Sequence, residues 1–343
     1  MTTATAWDWD EATRTALAAF LAHAGVTDGP VTTRLIGDGH SNLTYLVSDG
    51  ATRVVVRRPP PPPTPPGAND MLREARFLSA LAGTGVPVPA VRATAQAGEV
   101  LDVPFYVMSL VDGPVVTTAT PATLSHPATR REIGESLIDT LAELHSVDPA
   151  AVGLGDAGRP EGFNARHLRR MSALVADPDG ALPPEFAPVA EWLGAHVPPE
   201  SGVAILHNDY RIGNVVLAPE APGRVAAVLD WELAALGDPL FDLGYFLATL
   251  PVDAEPLTPT QELSTALLEP GYPSGEALAA RYAARTGADV ARLDWYSALA
   301  LFKLAALYEY GRRRSATGSG DAYYADPAQV RSFLAAAERT VSG

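Results

Sequence analysis

The apolar residues of this chain change period once, close to residue 112, and that change limits the possible folds more than any other feature. Before it, short runs alternate as strands do: 33–37 (TRLIG), 42–48 (NLTYLVS) with Leu43, Tyr45 and Val47 on one side, 52–57 (TRVVVR), and 104–110 (PFYVMSL). Ser48-Asp49-Gly50 between the second and third runs is a hairpin signal. Two helices belong to the same region: 10–24, with Leu17, Phe20, Leu21 and Ala24 on one face and Gly25 as its stop, and 70–82, with Met71, Ala75, Leu78 and Leu81 inward. A proline-rich run at 59–66 lacks backbone donors except at Thr64 and reads as a stiff loop. After Asp112-Gly113 the spacing becomes helical. Ile133, Leu137, Leu141 and Leu144 mark a helix over 131–147, with further helices over 162–177 and 185–196 and beyond 239; only 203–231 holds short β runs. A sheet-rich portion followed by a helix-rich one is an α+β chain. Its 343 residues suffice for two lobes.

The chemistry is concentrated in those β runs. An apolar strand at 203–206 leads into His207-Asn208-Asp209-Tyr210-Arg211-Ile212-Gly213-Asn214, then a second apolar strand; a third apolar run, 225–229, ends in Asp230-Trp231-Glu232. Polar groups at the ends of buried strands are held rigidly, which suits them to chemistry. Phosphoryl transfer needs a carboxylate to orient the attacking hydroxyl, oxygen ligands for Mg²⁺, and cations or amides against the phosphates. Asp209 suits the first role; Asn214 and Asp230 suit the second. Taken singly, each has an ordinary structural role as well: a turn cap, a backbone partner, a strand end. In the earlier portion, Gly37-Asp38-Gly39-His40-Ser41-Asn42 lies between two predicted strands. Glycines there let backbone amides approach phosphates, and they also suit a plain hairpin turn. A dinucleotide-binding loop is excluded because a strand follows, not a helix.

Charge and composition narrow the partners. Forty acidic against 25 basic residues give a net charge of −15, which repels nucleic acid and anionic lipid. No apolar run approaches the roughly 18 to 20 residues needed to span a bilayer, and the first residues lack a basic apolar leader, so the expected setting is cytoplasmic. With no cysteine, disulfides, thiol nucleophiles and cysteine–zinc sites are out.

The spacing His207-x-Asp209-x-x-x-x-Asn214, with Asp230 downstream and Gly237-Asp238-Pro239-Leu240-Phe241-Asp242-Leu243 after it, resembles the aminoglycoside phosphotransferase family. Within that family it is similar to the kinase domains found N-terminal to some acyl-CoA dehydrogenases. The resemblance implies a bilobal, protein-kinase-like fold: a small antiparallel-sheet lobe over 1–111 that binds nucleotide, and a larger helical lobe over 112–343 for catalysis and the acceptor. It implies ATP and Mg²⁺ as cofactors, Asp209 as the residue that orients the hydroxyl, and Asn214 and Asp230 as metal ligands. Arg57 stands where the family usually has lysine, on the face shared with Val55, and Glu74 is its expected partner. Gly39, Ser41 and Asn42 would meet phosphate. Met108 would line the back of an adenine pocket, with the Ser109 carbonyl and Val111 amide facing the base. Arg211, inside the loop beside Asp209, is placed to meet an anionic group of the acceptor or a phosphate, and equally to form a surface ion pair. His207, Asp238 and Asp242 would brace the loop and the helix after it. The expected function is transfer of a phosphoryl group from ATP to a hydroxyl of a small molecule, with a hydroxylated metabolite or acyl compound favoured. An antibiotic kinase and a silent nucleotide-binding module are the alternatives. Trp192, Trp295, Tyr296, Tyr308, Glu309 and Tyr310 are candidates to line the acceptor site.

Overall fold

A computed structural model describes residues 9–37, 42–60, 69–252 and 256–342. Contacts divide the chain into two compact units, Met1–Asp112 with Leu229–Glu232, and Gly113–Val228 with Leu233–Gly343.

The first unit is built on five antiparallel strands in the order β1-β2-β3-β5-β4. They are β1 (Thr32–Ile36), β2 (Leu43–Ser48), β3 (Arg53–Arg58), β4 (Val91–Ala95) and β5 (Phe105–Ser109). In register, Val56 stands opposite Tyr45 on one side and Val107 on the other. Period-2 alternation sends Val54 and Val56 to one face, where they join Tyr45, Val47, Phe105 and Val107 in a core closed by Leu17 and Leu21 of α1 (Glu11–His23). Phe20 meets Phe105 edge to face at 5.4 Å. The other face of β3 carries Val55 and Arg57 and receives α2 (Met71–Leu81), whose N-cap Asp70 accepts from the amide of Arg73. The β2–β3 turn is fixed by Asp49, whose carboxylate accepts from the amides of Ala51 and Thr52. β4 was not legible in the sequence: Val91-Arg92-Ala93-Thr94-Ala95 is short, half-exposed and irregular in register at Val91/Ala93.

The second unit is mostly helical: α3 (Pro127–Ser146), α4 (Phe163–Val175), α5 (Ala187–Ala195), α6 (Leu240–Ala248), the short α7 (Pro259–Glu262), α8 (Gly275–Thr286), α9 (Leu293–Ala316) and α10 (Pro327–Ser342). Two ribbons interrupt them, β6 (Ala204–Leu206) with β9 (Ala235–Gly237), and β7 (Val215–Leu217) with β8 (Val225–Val228). α9 is the hub. It packs against α4, α5, α6 and α10 and is buried nearly all round over its first half. That is why no amphipathic stripe announces it. Its crossing with α6 depends on Gly244: a Cβ there would stand 2.5 Å from Tyr296 Cβ and 2.7 Å from the Tyr296 carbonyl carbon. Among the described residues no helix is long and apolar enough to cross a membrane.

Candidate functional site

Two clusters gather the residues singled out from the sequence, one in each unit. In the first unit, alternation along β3 points Arg57 at α2 and buries it. Its Nε lies 3.3 Å from Glu74 Oε2; its Nη2 is bonded to Asp230 Oδ1 and lies 3.7 Å from Glu232 Oε2. Arg58, of opposite parity, donates instead to the Pro59 carbonyl. Glu232 accepts from the amide nitrogen of Asn42 at 2.6 Å, and Asn42 Oδ1 accepts from Asn69 at 2.8 Å. One guanidinium thus faces three carboxylates. Burial pushes the Glu74 carboxyl up to about 7, although the Arg57 charge opposes the shift. For Arg57 burial works against the charge, yet Asp230, Glu74 and Glu232 together hold the proton on more tightly than usual. Asp230 keeps about a third of its side chain exposed and sits at φ 66°, a left-handed backbone that a non-glycine residue adopts at a cost of about 1–3 kcal/mol. Such strain is typical of functional loops.

Of the other residues expected around a nucleotide, Met108 is buried, and Ser109 is tied to Ala90, donating through its amide at 2.8 Å and accepting at Oγ at 2.9 Å. Val111 is half-buried. Gly39 and Ser41 lie outside the described residues, as does most of the proline run.

In the second unit the loop 207–214 runs from β6 to β7 with alternating anchors. His207 is fully buried, and its Nδ1 accepts from the Asp209 amide at 3.2 Å. Tyr210 is buried and donates to the Leu137 carbonyl of α3 at 2.7 Å. Between them Asp209 stays partly open, with 22% of its side chain exposed. Its Oδ1 accepts from the Tyr245 hydroxyl at 2.5 Å and its Oδ2 from Asn214 Nδ2 at 2.8 Å. Asn214 also donates to the Asp209 carbonyl at 2.9 Å, so its amide is oriented by nitrogen, and its oxygen is the donor atom available to a hard cation. Arg211 Nε stands 3.8 Å from Asp209 Oδ1. Beneath the loop, Asp242 of α6 accepts from the amides of His207 (2.6 Å) and Asn208 (2.8 Å). Burial acts to raise its pKa, but hydrogen bonds and charge from His145, with the His207 amide, hold it below the usual carboxylate value. Asp238 holds Ser201, Asn164 and Tyr296.

The structure therefore brings Asp209, Asn214 and Arg211 together, and Arg57, Glu74 and Asp230 with Asn42. Among the described residues no three His, Asp or Glu side chains form a metal cage. Mg²⁺ does not need one, because phosphate oxygens and waters usually fill most of its octahedron. Glu232 and Tyr245 escaped the sequence reading. Glu232 had a signal, lying two residues from Asp230; Tyr245 had one in its helical spacing from Asp242. The candidates for an acceptor wall fare differently. Trp295 and Tyr296 are core residues, tied to the Leu193 carbonyl and to Asp238, and Glu309 is consumed by Arg312 and Arg313. Runs of aromatic residues on a hub helix pack inward.

Residues 32–296 match the phosphotransferase enzyme family. Among curated proteins the chain is 29% identical over 293 residues to acyl-CoA dehydrogenase family member 10 of Mus musculus, spanning 84% of this chain and 27% of that protein. It is 34% identical over 221 residues to family member 11 of Gallus gallus, spanning 63% of this chain and 28% of that one. The chain thus matches little more than a quarter of the length of these relatives. Among solved structures it resembles a protein of Ralstonia eutropha JMP134 assigned provisionally as an aminoglycoside phosphotransferase, with TM-score 0.76, 28% identity, and 95% and 98% of the two chains covered. It also resembles a thermostable mutant of aminoglycoside phosphotransferase APH(4)-Ia in complex with AMP-PNP and hygromycin B, with TM-score 0.61, 16% identity, and 96% and 99% covered; this likeness is one of fold.

Proposed function

This chain belongs to the phosphotransferase enzyme family, in the branch that includes the kinase-like domains of acyl-CoA dehydrogenase family members, and has a protein-kinase-like α+β fold; from that premise we propose that it transfers the terminal phosphoryl group of ATP to a hydroxyl of a small molecule. The observation that carries the reading is Asp209: a partly exposed carboxylate whose two oxygens are each held by a neutral donor, Tyr245 and Asn214. Such a group is positioned to orient an attacking alcohol and to accept its proton late in transfer. Arg57, fixed by Glu74, would meet the phosphates of the nucleotide, as its position on β3 suggests. Met108, Ser109 and Val111 are proposed for the adenine, and Gly39, Ser41 and Asn42 for the phosphates.

Asn214 offers a carboxamide oxygen and Asp230 a partly exposed carboxylate, and each by itself is a donor of the kind Mg²⁺ prefers. With ATP, Mg²⁺ would offset charge on the phosphate oxygens. The chain's own work is to hold Asp209 in place, to keep Arg57 charged, and to pass the acceptor's proton to an Asp209 oxygen.

For the acceptor, a hydroxylated metabolite or acyl compound is favoured over a polycationic antibiotic. Among the described residues, Asp238, Asp242 and Glu309 are the buried acids of the second unit, and all are engaged by protein partners, so none of them is left for amino groups. The neighbour crystallised with hygromycin B keeps the antibiotic-kinase reading as the alternative. A silent nucleotide-binding module is the reading favoured by arginine at position 57.

The test is transfer from [γ-³²P]ATP to a panel of hydroxylated metabolites, hydroxy acids and aminoglycosides. Asp209→Ala should lower turnover by about 10²- to 10⁴-fold while nucleotide binding persists. Wild-type turnover by that variant would remove Asp209 from the role. Tight nucleotide binding by the wild-type protein with no transfer and no Mg²⁺-dependent hydrolysis would favour the silent module.

A further inference from the structure

The chain contains 24 arginines and a single lysine, Lys303. It lies mid-way along α9, is only 4% exposed, and donates through Nζ to the backbone carbonyl of Asn208, the residue before Asp209. We propose that Lys303 is a positioning residue for phosphoryl transfer, fixing the loop that presents Asp209 by holding the Asn208 carbonyl from behind. The proposal rests on the reading of Asp209 given above and assigns the support beneath it.

The case begins with Asn208. Its φ of 64° is left-handed, which an L residue adopts only when its surroundings insist. Three groups from different segments do so. Its amide donates to Asp242 of α6 at 2.8 Å, its side-chain nitrogen donates to the Leu233 carbonyl at 2.9 Å, and its carbonyl accepts from Lys303 of α9. Removing the last contact leaves a carbonyl facing the protein interior at the point where the chain turns toward Asp209. A shift of about 1 Å in a positioned group is enough to cost 10²-fold in rate.

The ammonium is also suited to this place by charge. It lies 4.7 Å from the Tyr245 ring centroid and 5.5 Å from that of Phe241, both faces that attract a cation. Tyr245 donates to Asp209, so Lys303 contacts both the residue before Asp209 and one of the two donors that hold its carboxylate. The groups facing the amine are Asp209 on the loop, Asp242 and Tyr245 on α6, and Arg170 and His167 on α4. Burial draws the Lys303 pKa down to about 8, and the charges of Asp209 and Asp242 oppose that fall. A guanidinium could not end in one compact donor under a single carbonyl, which gives a reason for lysine where the rest of the chain uses arginine.

The test compares the wild-type protein with Lys303→Met and Lys303→Arg. Turnover is read as hydrolysis of Mg·ATP with water as acceptor and as transfer to any acceptor found in the panel. Local order is read by amide hydrogen exchange. Lys303→Met is expected to lower kcat about 10- to 100-fold with the KM for ATP within about twofold. Exchange at the amides of His207, Asn208 and Asp209 should rise, while α4 and α10 stay protected. Lys303→Arg should recover little of the loss. A kcat within twofold of wild type in a folded Lys303→Met protein, or an exchange increase spread evenly over the helical unit, would overturn the proposal by reducing Lys303 to a packing residue. Because lysine occurs once, a side-chain NMR spectrum of lysine-labelled protein has one resonance to follow. Its pKa should lie below the 10.5 of a solvated lysine, in the direction burial drives it, and its resonance should shift in Asn208→Ala; a resonance indifferent to that substitution would overturn the proposal. Absence of any turnover by the wild-type protein would instead defeat the kinase reading itself, a result the unsubstituted control reports by itself.

Discussion

Asp242 shows how much one buried carboxylate can hold in order. It caps two successive amides under the loop that bears Asp209, and hydrogen bonds to a charged group contribute about 1.5–3 kcal/mol each. We predict that Asp242→Ala destabilises the protein by about 3 kcal/mol or more, read from urea unfolding. Its pKa is depressed in the folded state, so its stabilising effect is complete above its ordinary value of 3.8 and is lost as pH falls through the lower folded value. The variant should therefore lose its deficit in acid, and a deficit independent of pH would contradict this account. Arg57 makes the complementary case. Arg57→Met removes the guanidinium that Glu74, Asp230 and Glu232 share, and should cost about 3–5 kcal/mol. Arg57→Lys keeps the charge but lacks the fork, and an intermediate loss is expected in the same titration. Residues such as Asp209, Asn214 and Asp230 could be proposed from the sequence because chain spacing suggests their chemistry. Lys303 could not, because it reaches its partner from 95 positions away along the chain.

Elements that a single period describes were legible; those shaped by several neighbours were not. The helix expected over 70–82 is Met71–Leu81, and the strand expected over 52–57 is Arg53–Arg58. Ala24, expected inward on the first helix, is exposed because that helix ends at His23. The helix expected over 131–147 begins four residues earlier, at Pro127, because proline is favoured in a first turn although it breaks an apolar pattern. α9 gave the weakest reading for its size. Trp295 and Tyr296, candidates for a binding wall, are core residues, since burial against four helices erases the polar face that periodicity needs. At this scale Gly244 invites a direct test. Gly244→Ala would press a methyl group into the Tyr296 backbone, and overpacking of this kind costs about 1–3 kcal/mol. If thermal unfolding of Gly244→Ala matched the wild-type protein, α6 and α9 would have to pack less tightly than described.

For the molecule as a whole, a net charge of −15 sets a background of self-repulsion. Raising ionic strength from ~0.01 to ~0.15 M shortens the screening length from about 30 to about 8 Å. The melting temperature should therefore rise over that interval in a neutral buffer; a fall would indicate that attractive ion pairs, such as Arg281 with Asp139 and Glu135, outweigh the excess. The boundary between the units is not a single cut. Residues 229–232 belong by contact to the first unit, while the residues on either side of them belong to the second. A gene recombined at codon 112 would thus pair a β3 arginine with an acidic segment of foreign ancestry. Chimeras between homologous genes should express well only when the four-codon stretch travels with the front third, which makes inheritance of the two pieces correlated although some 116 positions separate them.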